Sequence, residues 1–99
     1  MPPFGIEFDP QAVAAFCRRN GIVRLSLFGS VLRPDFRPDS DVDVLVEFDG
    51  PTPSLLDLGG MQVELTEMFG RTVDLKTWGF MSEGVRARVE RERRVAYAA

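Results

Sequence analysis

Ninety-nine residues with 44% hydrophobic content, eight Phe and 27% charged residues support one domain with one real core, and argue against a disordered tail. The net charge of −3 argues against bulk attraction to nucleic acid, and no window approaches the ~18 apolar residues of a membrane helix. The absence of histidine excludes His-based zinc sites and Ser-His-Asp chemistry.

Met1 to Phe8 reads as a loose lead-in to a single domain spanning residues 1–99. It has no basic segment followed by an apolar run, so no signal peptide is expected. Asp9-Pro10 predicts a helix start, and Val13, Phe16, Cys17 and Asn20 fall at helical spacing, with the apolar ones facing a core. Cys17, the single cysteine, cannot form an internal disulfide, reads as a buried small apolar residue and fits a cytoplasmic setting. Asn20-Gly21 closes that helix at about residue 20.

Ile22 to Phe28 reads as a strand ending at Gly29. Ser30 to Arg33 can form one helical turn before Pro34, and residues 34–40 read as an exposed loop. Asp41 to Phe48 reads as a strand with Asp41 and Asp43 on one face. Ser54 predicts the next helix cap, with Asp57 as an acidic capping-box residue. Leu55, Leu58, Met61, Leu65, Met68 and Phe69 form an apolar stripe, and Gly70 ends it. Gly59-Gly60 within the stripe is expected to allow close approach of helix to sheet. Arg71 to Thr77 is a third strand, and Trp78 to Met81 an aromatic loop. Ser82 caps a last helix over 83–93, and Val95 to Tyr97 can add an edge strand.

The chemistry concentrates in three places. Asp41 and Asp43, two residues apart in a strand, lie on one face about 6.5–7 Å apart along it. Uncompensated, they repel each other, and a divalent cation removes that penalty. Asp74 sits in an apolar strand, where an unpaired charge is costly. If its strand neighbours that of Asp41 and Asp43, three carboxylates can hold two metals. The plainer reading of Asp74 is a charge paired to Arg71 or Lys76. Gly29-Ser30 follows a strand, so its backbone can approach an anion closely, and Arg33 can face the same phosphate.

Gly29-Ser30, ten residues, then Asp41-Val42-Asp43 resembles the G-S-x10-D-x-D signature of the DNA polymerase β-like nucleotidyltransferase superfamily. Asp74 falls where that superfamily has its third carboxylate. Leu27-Phe28-Gly29-Ser30 and Arg37 through Phe48 are similar to its minimal nucleotidyltransferase (MNT) branch, over about residues 10–97. The resemblance implies an α+β fold with a mixed β-sheet and helices packed on one face. It implies two Mg²⁺ ions and ATP as substrate. Gly29 and Ser30 would bind the triphosphate, with Arg33 nearby. Asp41 and Asp43 would ligate both metals, and Asp74 the catalytic one, with Asp74 also serving as base. Pro34, where many relatives have a small residue, puts the reach of Arg33 in question.

Small MNT proteins resemble the antitoxin half of HEPN–MNT toxin–antitoxin pairs. That implies a hetero-oligomer with a HEPN-type toxin and transfer of AMP to a tyrosine hydroxyl of it. The alternatives are an antitoxin acting by binding alone, and transfer to a small molecule. Trp78, Phe80 and Met81 are open to three roles: core, partner contact or base stacking. The Arg- and Glu-rich last helix reads as a solvated face or a docking surface.

Overall fold

Asp9 caps α1 (Pro10–Asn20) by accepting from the Gln11 amide at 2.9 Å, and Gly21 ends it in the left-handed region at φ 71°. Ser54 and Ser82 cap α2 (Leu55–Phe69) and α3 (Glu83–Glu92) in the same way. The described residues form four strands, β1 (Ile22–Phe28), β2 (Val42–Phe48), β3 (Val73–Lys76) and β4 (Arg94–Ala98). Short 3₁₀ turns follow β1 at Gly29–Leu32 and β3 at Trp78–Phe80. The computed structural model describes residues 7–33 and 40–99. The expected lead-in at residues 1–6 and the loop at 34–39, with Pro34, lie outside the described residues.

The strands form one mixed sheet in the order β3-β2-β1-β4. β1 pairs antiparallel with β2 and β4, whereas β2 and β3 run parallel. α2 supplies the crossover that the parallel pair requires. The main core joins Val13, Phe16 and Cys17 of α1 to Leu58, Met61, Leu65 and Phe69 of α2. Val42, Val44 and Val46 of β2 enter that core, so α1 and α2 cover one face of the sheet. By the two-residue repeat of a strand, Asp43, Leu45 and Glu47 point to the other face. α3 reaches that second face: Val89 is buried outside the main core, and Arg93 bonds Glu47.

Two expectations for α2 are corrected. Leu55, assigned to the buried stripe, is 71% exposed. It stands in the first turn of the helix, bordering an open hollow with Leu75 and Phe80 rather than joining the main core. Gly59 and Gly60 are exposed, and a Cβ at either would meet nothing within 4 Å. Gly59 borders an open hollow beside Leu75 rather than a tight contact, so neither glycine brings backbone close to the sheet.

Candidate active site

The parallel register of β2 and β3 places Asp43 directly opposite Asp74, with Val42 opposite Val73. Neighbouring strands are about 4.8 Å apart, so the two carboxylates emerge side by side from one face. Asp41 precedes the first residue of β2 and is exposed, whereas Asp43 is half-buried. Burial raises the Asp43 carboxyl above its ordinary range, Asp74 adds to that, Lys76 opposes it and Asp41 adds further. All three predicted carboxylates therefore act on one locus.

Lys76 Nζ lies 3.4 Å from Asp74 Oδ1, so the plainer reading of Asp74 is also met. Both side chains are about 40% exposed, and such a pair contributes little to stability. Lys76 is a member of the site beyond the predicted set. Its signal was its two-residue spacing from Asp74, which keeps both on one face. Among the described residues, no three Asp, Glu, Cys or His side chains close a metal cage on their own. Opposed oxygen donors with one carboxyl under electrostatic load still fit Mg²⁺, which is bound by one or two carboxylates plus substrate phosphates.

Gly29 follows β1 at φ 77°, a conformation that side chains resist. A Cβ on Gly29 would lie 2.3 Å from Asp43 Oδ2. Phe28 pairs with Asp43 across the β1–β2 ladder, and that register brings the turn against the carboxylate. Ser30 is half-buried in the turn, and its carbonyl accepts the Arg33 amide at 3.0 Å. Arg33 is exposed and lines the same cleft as Gly29. Gly29 and Asp43 are thus in mutual reach, and Asp74 joins them from β3.

The aromatic segment divides. Trp78 donates its Nε1–H to Glu47 at 3.1 Å, and Arg93 bonds the same carboxylate at 2.6 Å. Arg86 and Arg93 lie 5.8 and 5.5 Å from the Trp78 ring centroid. Trp78 and Arg93 therefore tie α3 to β2, and Arg93 belongs to no solvated face. Phe80 is 56% exposed and lines a hollow with Leu55, Leu58 and Leu75.

A mixed sheet with carboxylates at the paired starts of two strands, and a glycine turn pressed against one of them, defines a nucleotidyltransferase class. The nucleotidyltransferase domain family matches residues 10–97. A provisionally named protein adenylyltransferase of Methanocaldococcus jannaschii is 39% identical over 74 residues, 75% of this chain and 78% of that protein. Protein adenylyltransferase MntA of Thermococcus cleftensis is 36% identical over 75% of this chain and 74% of its own. A solved structure provisionally assigned as a minimal nucleotidyltransferase superposes with TM-score 0.72 at 36% identity, covering 86% of both chains. A toxin–antitoxin crystal structure with AMP-PNP superposes at 0.76 with 18% identity, covering 92% of this chain and 74% of that one. The chain belongs to the nucleotidyltransferase domain family, in its MNT branch, and is an enzyme of that type.

Proposed function

We propose that this chain transfers AMP from ATP, in the presence of Mg²⁺, to a tyrosine hydroxyl of a HEPN-type toxin, and thereby acts as its antitoxin. The observation that carries the reading is the Asp43–Asp74 pair across parallel strands with Gly29 against Asp43. Support for the acceptor comes from relatives. Two are named protein adenylyltransferases. Neighbours in fold include MntA–HepT complexes and a tri-AMPylated HEPN toxin bound to its MNT antitoxin. Exposed Leu55, Leu56, Val63 and Phe80 offer this chain apolar surface of the kind used to hold a protein partner.

Asp41, Asp43 and Asp74 would hold the divalent metal, which supplies charge neutralisation at the phosphates and a more acidic acceptor hydroxyl. The Gly29-Ser30 turn positions the triphosphate. Asp74, 42% exposed and next to Asp43, takes the proton of the acceptor hydroxyl. The hydroxyl oxygen bonds to the α-phosphorus as the bond to the bridging β-phosphate oxygen breaks. Pyrophosphate departs with that electron pair.

The test is the intact mass of a HEPN partner after incubation with Mg·ATP and this chain. A gain of one or more AMP units is expected with the natural sequence, and none with Asp41→Asn/Asp43→Asn. Unchanged mass alongside a tight complex would replace the reading with neutralisation by binding alone.

A further inference from the structure

β4 runs antiparallel to β1 with Arg94 opposite Leu27, two residues before Gly29. The end of α3 and the start of β4 therefore sit at the same end of the sheet as the glycine turn. There Gly29, Leu32, Arg33, Arg91, Glu92 and Arg94 line a cleft of about 300 Å³. Among the described residues that line it, three guanidinium groups against one carboxylate give a surplus of positive charge. Among the described residues, none of these three arginines forms an ion pair. Arg93, between Arg91 and Arg94 in sequence, turns instead to Glu47. The segment thus splits its arginines: one holds the fold together and two are left at the cleft.

Gly29 is a wall common to both places. It abuts the Asp43 carboxylate, and it also lines the arginine cleft. In the strand order β3-β2-β1-β4, carboxylates lie on one side of the turn and arginines on the other. A nucleoside triphosphate lying across that turn meets two opposite environments. Its α-phosphate is at the carboxylate side, where cations would be held. Its remaining phosphates extend toward β4, where the protein itself supplies the countercharge. A planar guanidinium donates paired N–H groups to phosphate oxygens, which makes arginine suited to this task.

We propose that Arg91 and Arg94, with Arg33, form the subsite for the β- and γ-phosphates, and so select a triphosphate over a monophosphate and hold the departing pyrophosphate. The proposal rests on the nucleotidyl-transfer reading of the carboxylate site. It adds two residues from the far end of the chain, and it gives the bound nucleotide a direction: base and α-phosphate toward β2 and β3, tail toward β4.

Calorimetric binding of AMP-PNP, inorganic pyrophosphate and AMP to the full chain in Mg²⁺ tests it, comparing the natural sequence with Arg91→Gln/Arg94→Gln. Both residues are exposed, so the variant is expected to keep its circular dichroism spectrum and melting temperature. AMP-PNP and pyrophosphate are expected to bind about 10- to 100-fold more weakly, the scale of lost charge-assisted hydrogen bonds, with AMP changed less than about twofold. Arg88→Gln, exposed on α3 and outside the cleft, is the control and is expected to bind all three as the natural sequence does. Unchanged AMP-PNP affinity in the double variant, or an equal loss for AMP, would overturn the proposal while leaving the carboxylate site in place. Failure of the natural sequence to bind AMP-PNP at all would sink both readings together.

Discussion

Gly29→Ala probes the contact on which the site is built. The new Cβ faces two separate costs. The first is the backbone: at φ 77° an L-residue loses about 1–2 kcal/mol. For a domain of this size that corresponds to a melting temperature lower by about 4–15 °C. The second is steric. At 2.3 Å from Asp43 Oδ2 the methyl overlaps the carboxylate, which must withdraw by about 1 Å to reach ordinary contact. A misplacement of that size costs about 100-fold in rate when it falls on a group that positions the reactants. The two costs separate in a double-mutant cycle. Asp43→Ala removes Cγ and Oδ2 and leaves the Asp43 Cβ at 3.5 Å, an ordinary distance. Thermal or urea unfolding of the natural sequence, both single variants and the double variant gives the coupling. Gly29→Ala is expected to cost less in the Asp43→Ala background than in the natural one, because only the backbone cost remains. Additivity within about 0.5 kcal/mol would refute the reasoning, as would full AMP transfer by Gly29→Ala alone.

Asp43→Asn is expected to raise the metal-free melting temperature at neutral pH while abolishing transfer. The folded state holds the Asp43 proton more tightly than the unfolded chain does, because burial and then Asp74 disfavour the charge. Stability from this group therefore falls as pH rises from the ordinary carboxylate range through the raised one. The advantage of the asparagine should vanish near pH 3, as melting curves against pH will show. Mg²⁺ should raise the melting temperature of the natural sequence more than that of the variant. Glu47→Ala should cost about 2–4 kcal/mol in unfolding free energy, because Arg93, with a side chain only 15% exposed, and the Trp78 N–H lose their shared acceptor. Ser26→Ala should be neutral or stabilising by about 1 kcal/mol, since the buried Ser26 hydroxyl has no partner among the described residues. Cys17, fully buried with its thiol pushed up to about 12 by that burial, should react with thiol reagents only as fast as the chain unfolds.

Local signals carried most of the secondary structure. Asp9, Ser54 and Ser82 mark helix starts through hydrogen bonds made within three residues, and Gly21 and Gly70 mark ends through their own φ. Such features depend on neighbours in sequence, so a sequence can show them. The spacing of Gly29-Ser30 and Asp41-Val42-Asp43 was legible for a related reason: a turn and a strand fix which side chains are close at hand. Burial at the rim of the core was not legible in the same way. Leu55 has the right helical phase for the core, but it stands in the first turn of the helix at the core's rim, beside an open hollow. Gly59 and Gly60 have the composition of a close contact, yet a Cβ at either would meet only open space. Periodicity gives the angle of a residue around its axis, and nothing in it says what stands at that angle.

The sequence by itself determined the parts: two carboxylates at the start of one strand, a third on another, and a glycine turn between strands. Only the tertiary structure decided their mutual placement. Parallel pairing of β2 with β3 puts Asp74 opposite Asp43, and the β1–β2 ladder presses Gly29 against the same carboxylate. Pairing of β4 with β1 brings Arg91 and Arg94 from the far end of the chain to the other side of that glycine. The physical reason is that strand order and register are set by burial of Val42, Val44, Leu25 and Leu27 against α1 and α2, contacts between segments far apart in the chain.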